Sequence, residues 1–296
     1  GVAVKIYPSA VSQVLEGLEG LLATPYGCFE QTTSVTYPNV MILRYLQATG
    51  QANPGLALQA EHLINLGYQR LLTFEVKSAY GGFSLYGEPP PDAMLTAYGL
   101  QEFADMNTVL FVDPALLGRM VDFLAGKQDR QGFWEPTHYG APDAATERDN
   151  RVTATAYVVW AMADAGYADS RAVRNGVRYL QRELRSEIRR GGTGTGTSPS
   201  AGGTAATAPG TPPAQLSTYA LALSANALAA AGEDPTPLLE QLLGQGQRDA
   251  RGLYWDAGRP TFLASWGEAA TIETTALVGQ ALLRTGQHPA VAQEIV

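Results

Sequence analysis

Residues 26–34 read Tyr26-Gly27-Cys28-Phe29-Glu30-Gln31-Thr32-Thr33-Ser34. Cys28 is the only cysteine in 296 residues, and Gln31 stands three positions after it. A thiolate can attack the side-chain carboxamide carbon of Gln31 and expel ammonia, leaving a thioester between the two residues. Closing through Cys28, Phe29, Glu30 and Gln31 gives a ring of about fifteen atoms, small enough for one tight turn, where proximity supplies much of the driving force. Gly27 relaxes the backbone where that turn must bend. A thioester is a stored electrophile, and the nucleophile that opens it is acylated. The plainer alternative is a buried structural cysteine at the start of a helix, which an isolated Cys-x-x-Gln more often is.

Working outward, the turn opens a helix predicted over about 30–49, ended by Gly50, with Pro38 inside it expected to introduce a kink. Upstream, Ser9 can cap a helix reaching about Leu22, with Val11, Val14, Leu15, Leu18, Leu21 and Leu22 on one face, until Thr24-Pro25 breaks it. Residues 1–8 are expected to be the tail of a preceding linker or strand. Downstream, a third helix is predicted over about 55–73.

The chain then repeats. Helices rich in small residues are centred on Thr96-Ala97-Tyr98 and Thr155-Ala156-Tyr157, then on Ser217-Thr218-Tyr219 and Glu273-Thr274-Thr275-Ala276. Each is followed by a partner helix, the first two over about 113–127 and 169–190. A period of about sixty residues signals stacked helical hairpins. Small residues allow close helix approach, which predicts an inner ring of helices with the more charged partners outside. A second repeat lies in the loops: Ala79-Tyr80-Gly81-Gly82-Phe83, Gln128-Asp129-Arg130-Gln131-Gly132-Phe133-Trp134 and Asp249-Ala250-Arg251-Gly252-Leu253-Tyr254-Trp255. Each is a glycine turn followed by aromatics that can plug the next hairpin. Such turns resemble those of α/α toroids. The predicted fold is therefore all-α, an α/α toroid of inner and outer helix rings over residues 9–296. The third repeat lacks the turn. A Gly, Thr, Ser, Ala and Pro stretch over 191–213 replaces it and is expected to be a flexible insertion within one domain.

The stretch around Cys28 resembles the thioester motif of the alpha-2-macroglobulin and complement family. Animal members usually have Gly-Cys-Gly-Glu-Gln. Phe29 in place of the second glycine is similar to the bacterial branch, as are Tyr26-Gly27 before it and Thr32-Thr33-Ser34 after it. The likeness continues through Tyr37-Pro38-Asn39-Val40 and Leu43-Arg44-Tyr45-Leu46. About twenty consecutive positions are far more specific than Cys-x-x-Gln alone. The resemblance implies a warhead domain of a bacterial protease-trapping inhibitor. In that family a lysine amine of the attacking protease opens the thioester and the protease is held by an amide bond. It further implies a place in the cell envelope or periplasm, other domains of the same parent chain as partners, and single-turnover action rather than enzymatic turnover. Two other classes remain open: a toroid enzyme on isoprenoid or glycan substrates, and an adhesin-like module attaching to surfaces through the same thioester.

The net charge of −8 argues against general nucleic-acid binding. No run of some twenty apolar residues suggests a membrane span, and no leader-like segment precedes the first helix. The chain is read as a domain of a longer protein. One cysteine and three histidines give no zinc spacing, and no phosphate-cradling glycine loop leads into a helix. No metal or cofactor is expected.

Beside Cys28 and Gln31, four residues are candidates. Glu30 either orients the incoming nucleophile and takes its proton, or is a first-turn carboxylate favoured by the helix dipole. Tyr26 either shields the thioester or is a core aromatic. His138 is the histidine placed to relay the acyl group to hydroxyls, as some complement-type relatives do. Tyr139 competes for that place and would instead cover the thioester. His62 and His288 are expected on outer helices, solvated. The arginine-rich stretch 171–190 carries Glu183 and Glu187 at spacings that allow pairing along a helix, so it reads as a solvated outer helix.

Overall fold

The computed structural model describes residues 17–50, 53–136, 144–191, 215–250, 252–261 and 265–295. It is mostly helical, as the all-α reading expects. Its contacts divide into two compact units, Gly1–Phe123 and Leu124–Val296. The expected linker at 1–8 lies outside the described residues, as does the expected insertion apart from Gly191.

In the first unit, α1 is Phe29–Thr49, α2 is Pro54–Leu72 and α3 is Ala93–Met106. Helix α4, Pro114–Lys127, begins here. A helical stretch over 17–21 precedes them. Their ends follow from capping chemistry. Asn53 accepts the Leu56 N–H at 3.1 Å ahead of Pro54, whose missing N–H costs nothing in a first turn. Asp92 accepts the N–H groups of Met94 and Leu95 at 2.7 and 2.9 Å. Helix α1 runs unbroken past Pro38 and ends at Gly50 in the left-handed conformation.

Buried aromatic rings fill the space between these helices. Phe29 meets Phe74 edge-on at 6.0 Å and Phe83 at 5.3 Å, and Phe83 meets Phe103 at 5.9 Å. Helices α1 and α2 approach so closely that a Cβ on Gly67 would collide with the Thr36 side chain. A Cβ on Gly99 of α3 would come within 2.7 Å of Phe29 Cζ. The small residues are thus contact points, as their spacing suggests.

In the second unit, α5 is Ala144–Met162 and continues through a π-type turn, Ala163–Tyr167. Helices α6 (Arg171–Gly191), α7 (Thr218–Ala230), α8 (Thr236–Gln245), α9 (Glu268–Thr285) and the single turn α10 (Pro289–Ala292) follow. Helix α7 packs against both α5 and α9, with nearly every side chain buried. It opens at Thr218 with Ser217 as its cap, rather than being centred there. Asp149 of α5 anchors that start, accepting the Ser217 N–H at 2.6 Å and its hydroxyl at 3.0 Å. The third glycine turn is a strand hairpin, β1 (Gln247–Asp249) antiparallel to β2 (Gly252–Tyr254), with Gln247 opposite Tyr254.

One device recurs in both units. The backbone N–H of Phe83 donates to Thr96 Oγ1 at 2.9 Å, that of Trp134 to Thr155 Oγ1 at 3.2 Å, and that of Trp255 to Thr275 Oγ1 at 3.0 Å. All three aromatics and all three threonines are buried. Each glycine turn therefore delivers one aromatic plug to one small-residue helix, and a threonine hydroxyl satisfies the N–H that the plug carries inward.

Candidate functional site

Cys28 is the N-cap of α1, with extended backbone at φ −75° and ψ −177°. Gln31 is its N3 residue. The pair forms a capping box with cysteine in the place of the usual hydroxyl residue. Gln31 Oε1 accepts the Cys28 N–H at 3.1 Å, and the Gln31 N–H faces the Cys28 sulfur. The local helix start thus folds the carboxamide back over the cysteine. Gly27 makes this possible twice over. Its φ is +81°, and any Cβ there would collide with the Gln31 carboxamide. Cys28 is half-buried and Gln31 exposed, so attacking groups can reach the turn.

The turn is held from behind. Phe29 is completely buried, and its N–H donates to Leu85 O at 2.9 Å, tying the helix start to the loop after Phe83. Arg70, in the last turn of α2, donates through Nε and Nη2 to Gly27 O and through Nε to Thr32 Oγ1 at 3.1 Å. Thr32 Oγ1 in turn donates to Tyr26 O at 3.1 Å. The Arg70 guanidinium lies over the Phe74 ring, 5.7 Å from its centre. Nothing in residue spacing singles out Arg70, because its partners, the Gly27 carbonyl and the Thr32 hydroxyl, are brought near only by the packing of α1 on α2.

Among the other candidates, Glu30 lies half-buried in the first turn of α1. Tyr26 is 61% exposed, outside the core, and Tyr86 nearby in sequence to Leu85 is 73% exposed. His138 and Tyr139 lie outside the described residues. His62 is exposed on α2. His288 caps the short α10, and its Nε2 is 3.5 Å from Glu240 Oε1. The arginine-rich helix α6 exposes Arg171, Arg174, Arg178 and Arg182, as the solvated reading expects, but its carboxylates do not pair along the helix alone. Its Glu183 and Glu187 pair with Arg148 of α5, at 3.0 and 2.8 Å, and Glu187 is fully buried. No cluster of three His, Cys, Asp or Glu side chains suited to a metal occurs among the described residues. No described helix is long and apolar enough to cross a membrane.

Sequence reading also missed Glu102. It sits on α3, fully buried, with neither carboxyl oxygen hydrogen-bonded. The Thr33 hydroxyl of α1, also buried and without a hydrogen-bond partner, is the polar group that acts on it. Burial pushes the Glu102 carboxyl well above the usual carboxylate range, against the opposing effect of the Thr33 hydroxyl. A glutamate one position from Phe103 gave no sign of facing inward.

A mostly helical fold carrying a folded-back cysteine–glutamine turn at a helix start defines a class of domain suited to covalent binding. Comparison with known proteins narrows it. A family model described as the A-macroglobulin TED domain matches residues 2–191. Thioester-containing protein 1 allele S3 of Anopheles gambiae is 28% identical over 185 residues, covering 61% of this chain and 14% of that protein. Alpha-2-macroglobulin-like protein 1 of Mus musculus is 28% identical over 196 residues, covering 64% and 13%. The chain belongs to the thioester-domain family of the alpha-2-macroglobulin and complement-type proteins. It spans 13–14% of the length of these relatives.

Proposed function

We propose that Cys28 and Gln31 join in an internal thioester, and that this chain is the covalent-capture part of a larger protease-trapping protein. The carrying observation is the turn itself. Gln31 Oε1 is hydrogen-bonded to the Cys28 N–H at 3.1 Å, inside a turn that only glycine at position 27 permits. The thiolate adds to the Gln31 carboxamide carbon and ammonia leaves with the thiol proton. A lysine amine of an attacking protease later adds to the same carbon, the C–S bond breaks, and the amine's proton passes to the Cys28 thiolate. The protease is left in amide linkage to residue 31. Each molecule acts once. Tyr26, largely exposed just before the turn, is the proposed shield, and Glu30, in the first turn of α1, the proposed group that orients the nucleophile or takes its proton. A bacterial cell envelope or periplasm is the proposed setting, and the other domains of the parent chain are the proposed partners.

Intact mass of freshly purified protein tests the bond. A mass one ammonia below that of the sequence, with a thiol that becomes reactive only after methylamine treatment, supports the reading. Full sequence mass with an immediately reactive thiol sinks it for this protein.

A further inference from the structure

We infer that the Gly27–Cys28 peptide is the oxyanion donor of the thioester turn and that Arg70 is the residue that positions it. The inference rests on the thioester reading above. In a trans peptide the C=O and N–H point in opposite directions, and the Gly27–Cys28 bond is not among the cis bonds of this chain. Both ends of this one peptide are engaged. Its carbonyl oxygen accepts from Arg70 Nε at 3.2 Å and from Nη2, and its N–H donates to Gln31 Oε1 at 3.1 Å.

Gln31 Oε1 is the atom on which charge develops. When Cys28 Sγ adds to Gln31 Cδ, the carbonyl π pair moves onto Oε1. As it returns, the Cδ–Nε2 bond breaks and ammonia departs with the thiol proton. When an amine opens the thioester, its nitrogen adds to the same carbon, Oε1 again takes the charge, and the C–S bond breaks to give a thiolate that receives the amine's proton. A fixed N–H donor at Oε1 lowers both barriers, because it is already oriented when the charge appears. A cation on the carbonyl of the same peptide strengthens that donor, since linked hydrogen bonds polarise one another.

Arg70 is itself fixed. Its Nε also reaches Thr32 Oγ1 at 3.1 Å, and the Thr32 hydroxyl donates to Tyr26 O at 3.1 Å, so the carbonyls of both Tyr26 and Gly27 are held. Its guanidinium lies over Phe74, which meets the buried Phe29 ring edge-on. A planar fork suits this arrangement better than an ammonium, which offers no rigid pair of donors.

The test compares wild type, Arg70→Lys and Arg70→Met by intact mass and by the rate of thiol release in methylamine. It also takes the infrared band of the residue-31 carbonyl after 13C-glutamine labelling. Wild type is expected to lack one ammonia and to show a labelled thioester band at lower wavenumber when folded than in denaturant. Arg70→Met is expected to open about tenfold more slowly, a smaller loss than that from removing an oxyanion donor outright, with the band shift reduced. Arg70→Lys is expected to recover only part of the rate. Arg70→Met opening at the wild-type rate overturns the inference while leaving the thioester intact. So does an unshifted wild-type band, a measurement that needs no variant to fold. A wild type of full sequence mass instead overturns the thioester reading, and this inference falls with it.

Discussion

Gly27, Cys28 and Gln31 are inseparable in this turn, and substitutions at Gly27 and at Cys28 fail differently. Gly27→Ala places a side chain at φ +81° and against the Gln31 carboxamide. The left-handed conformation alone costs roughly 1–2 kcal/mol. The variant is expected to fold, with a modestly lower melting temperature, and to keep its full sequence mass because Gln31 no longer lies over the cysteine. A Gly27→Ala protein that still loses ammonia in full would show that the fold-back is dispensable. Cys28→Ala changes a half-buried cap whose side chain is small. Its melting temperature is expected to stay within a few degrees of wild type, while the covalent protease adducts that the proposed function implies for the parent protein disappear. Adducts at the wild-type level would exclude Cys28 as the reactive group. This part of the site was legible because the chemistry needs residues three apart in one turn. Arg70 was not, since its role depends on the C-terminal turn of one helix lying beside the N-cap of another.

At the level of elements, the aromatic-and-threonine pairs are what the loop repeat encodes. The sequence shows glycine turns followed by Phe83, Trp134 and Trp255, and small-residue helices carrying Thr96, Thr155 and Thr275. It does not show that one set bonds to the other, because the two lie 13, 21 and 20 residues apart. Replacing Thr155 by Val keeps the shape but orphans the Trp134 N–H, a loss of about 1–3 kcal/mol. Amide exchange should then speed up at Trp134 in particular. Unchanged protection there would mean that the hydroxyl is not its partner. Trp255 with Thr275 lies beyond residue 191, where the family match ends, and repeats the same design. The strand hairpin escaped prediction because three residues per strand carry no readable alternation. The pairing of Glu183 and Glu187 was misjudged for a different reason. Spacing along α6 supplies candidate partners on the same helix, but Arg148 of α5 is half-buried and gains more from both carboxylates than a solvated arginine would.

For the molecule as a whole, Glu102 links stability to pH. Its carboxyl holds a proton more tightly when folded than at the ordinary value of 4.5. Between that value and the raised one, the folded chain binds more protons than the unfolded chain, so stability falls as pH rises. The contribution is complete below 4.5 and is lost as pH climbs through the folded value. Glu102→Leu removes the titrating group while keeping an apolar side chain of similar bulk. Its melting temperature is expected to match or exceed that of wild type at alkaline pH, with the gap narrowing towards acid. Parallel curves for the two proteins across that range would show that Glu102 is not buried as an acid.

The contact of Gly67 with Thr36 has a consequence for how this domain can diverge. Gly67 lies three residues before Arg70, and Thr36 four residues after Thr32. This close approach of α1 and α2 is therefore about one turn from the place where Arg70 meets the Cys28 turn. A side chain at position 67 would wedge the pair apart and move the guanidinium off the Gly27 carbonyl. Trimming Thr36 to alanine removes the two nearest obstructing atoms but keeps its Cβ, at 2.8 Å, still too close for a methyl group at position 67 unless the helices shift. The two positions are therefore coupled: Gly67→Ala is expected to cost less stability on a Thr36→Ala background than alone, without the loss being abolished. Two buried positions thus constrain where the guanidinium beside the Cys28 turn can sit.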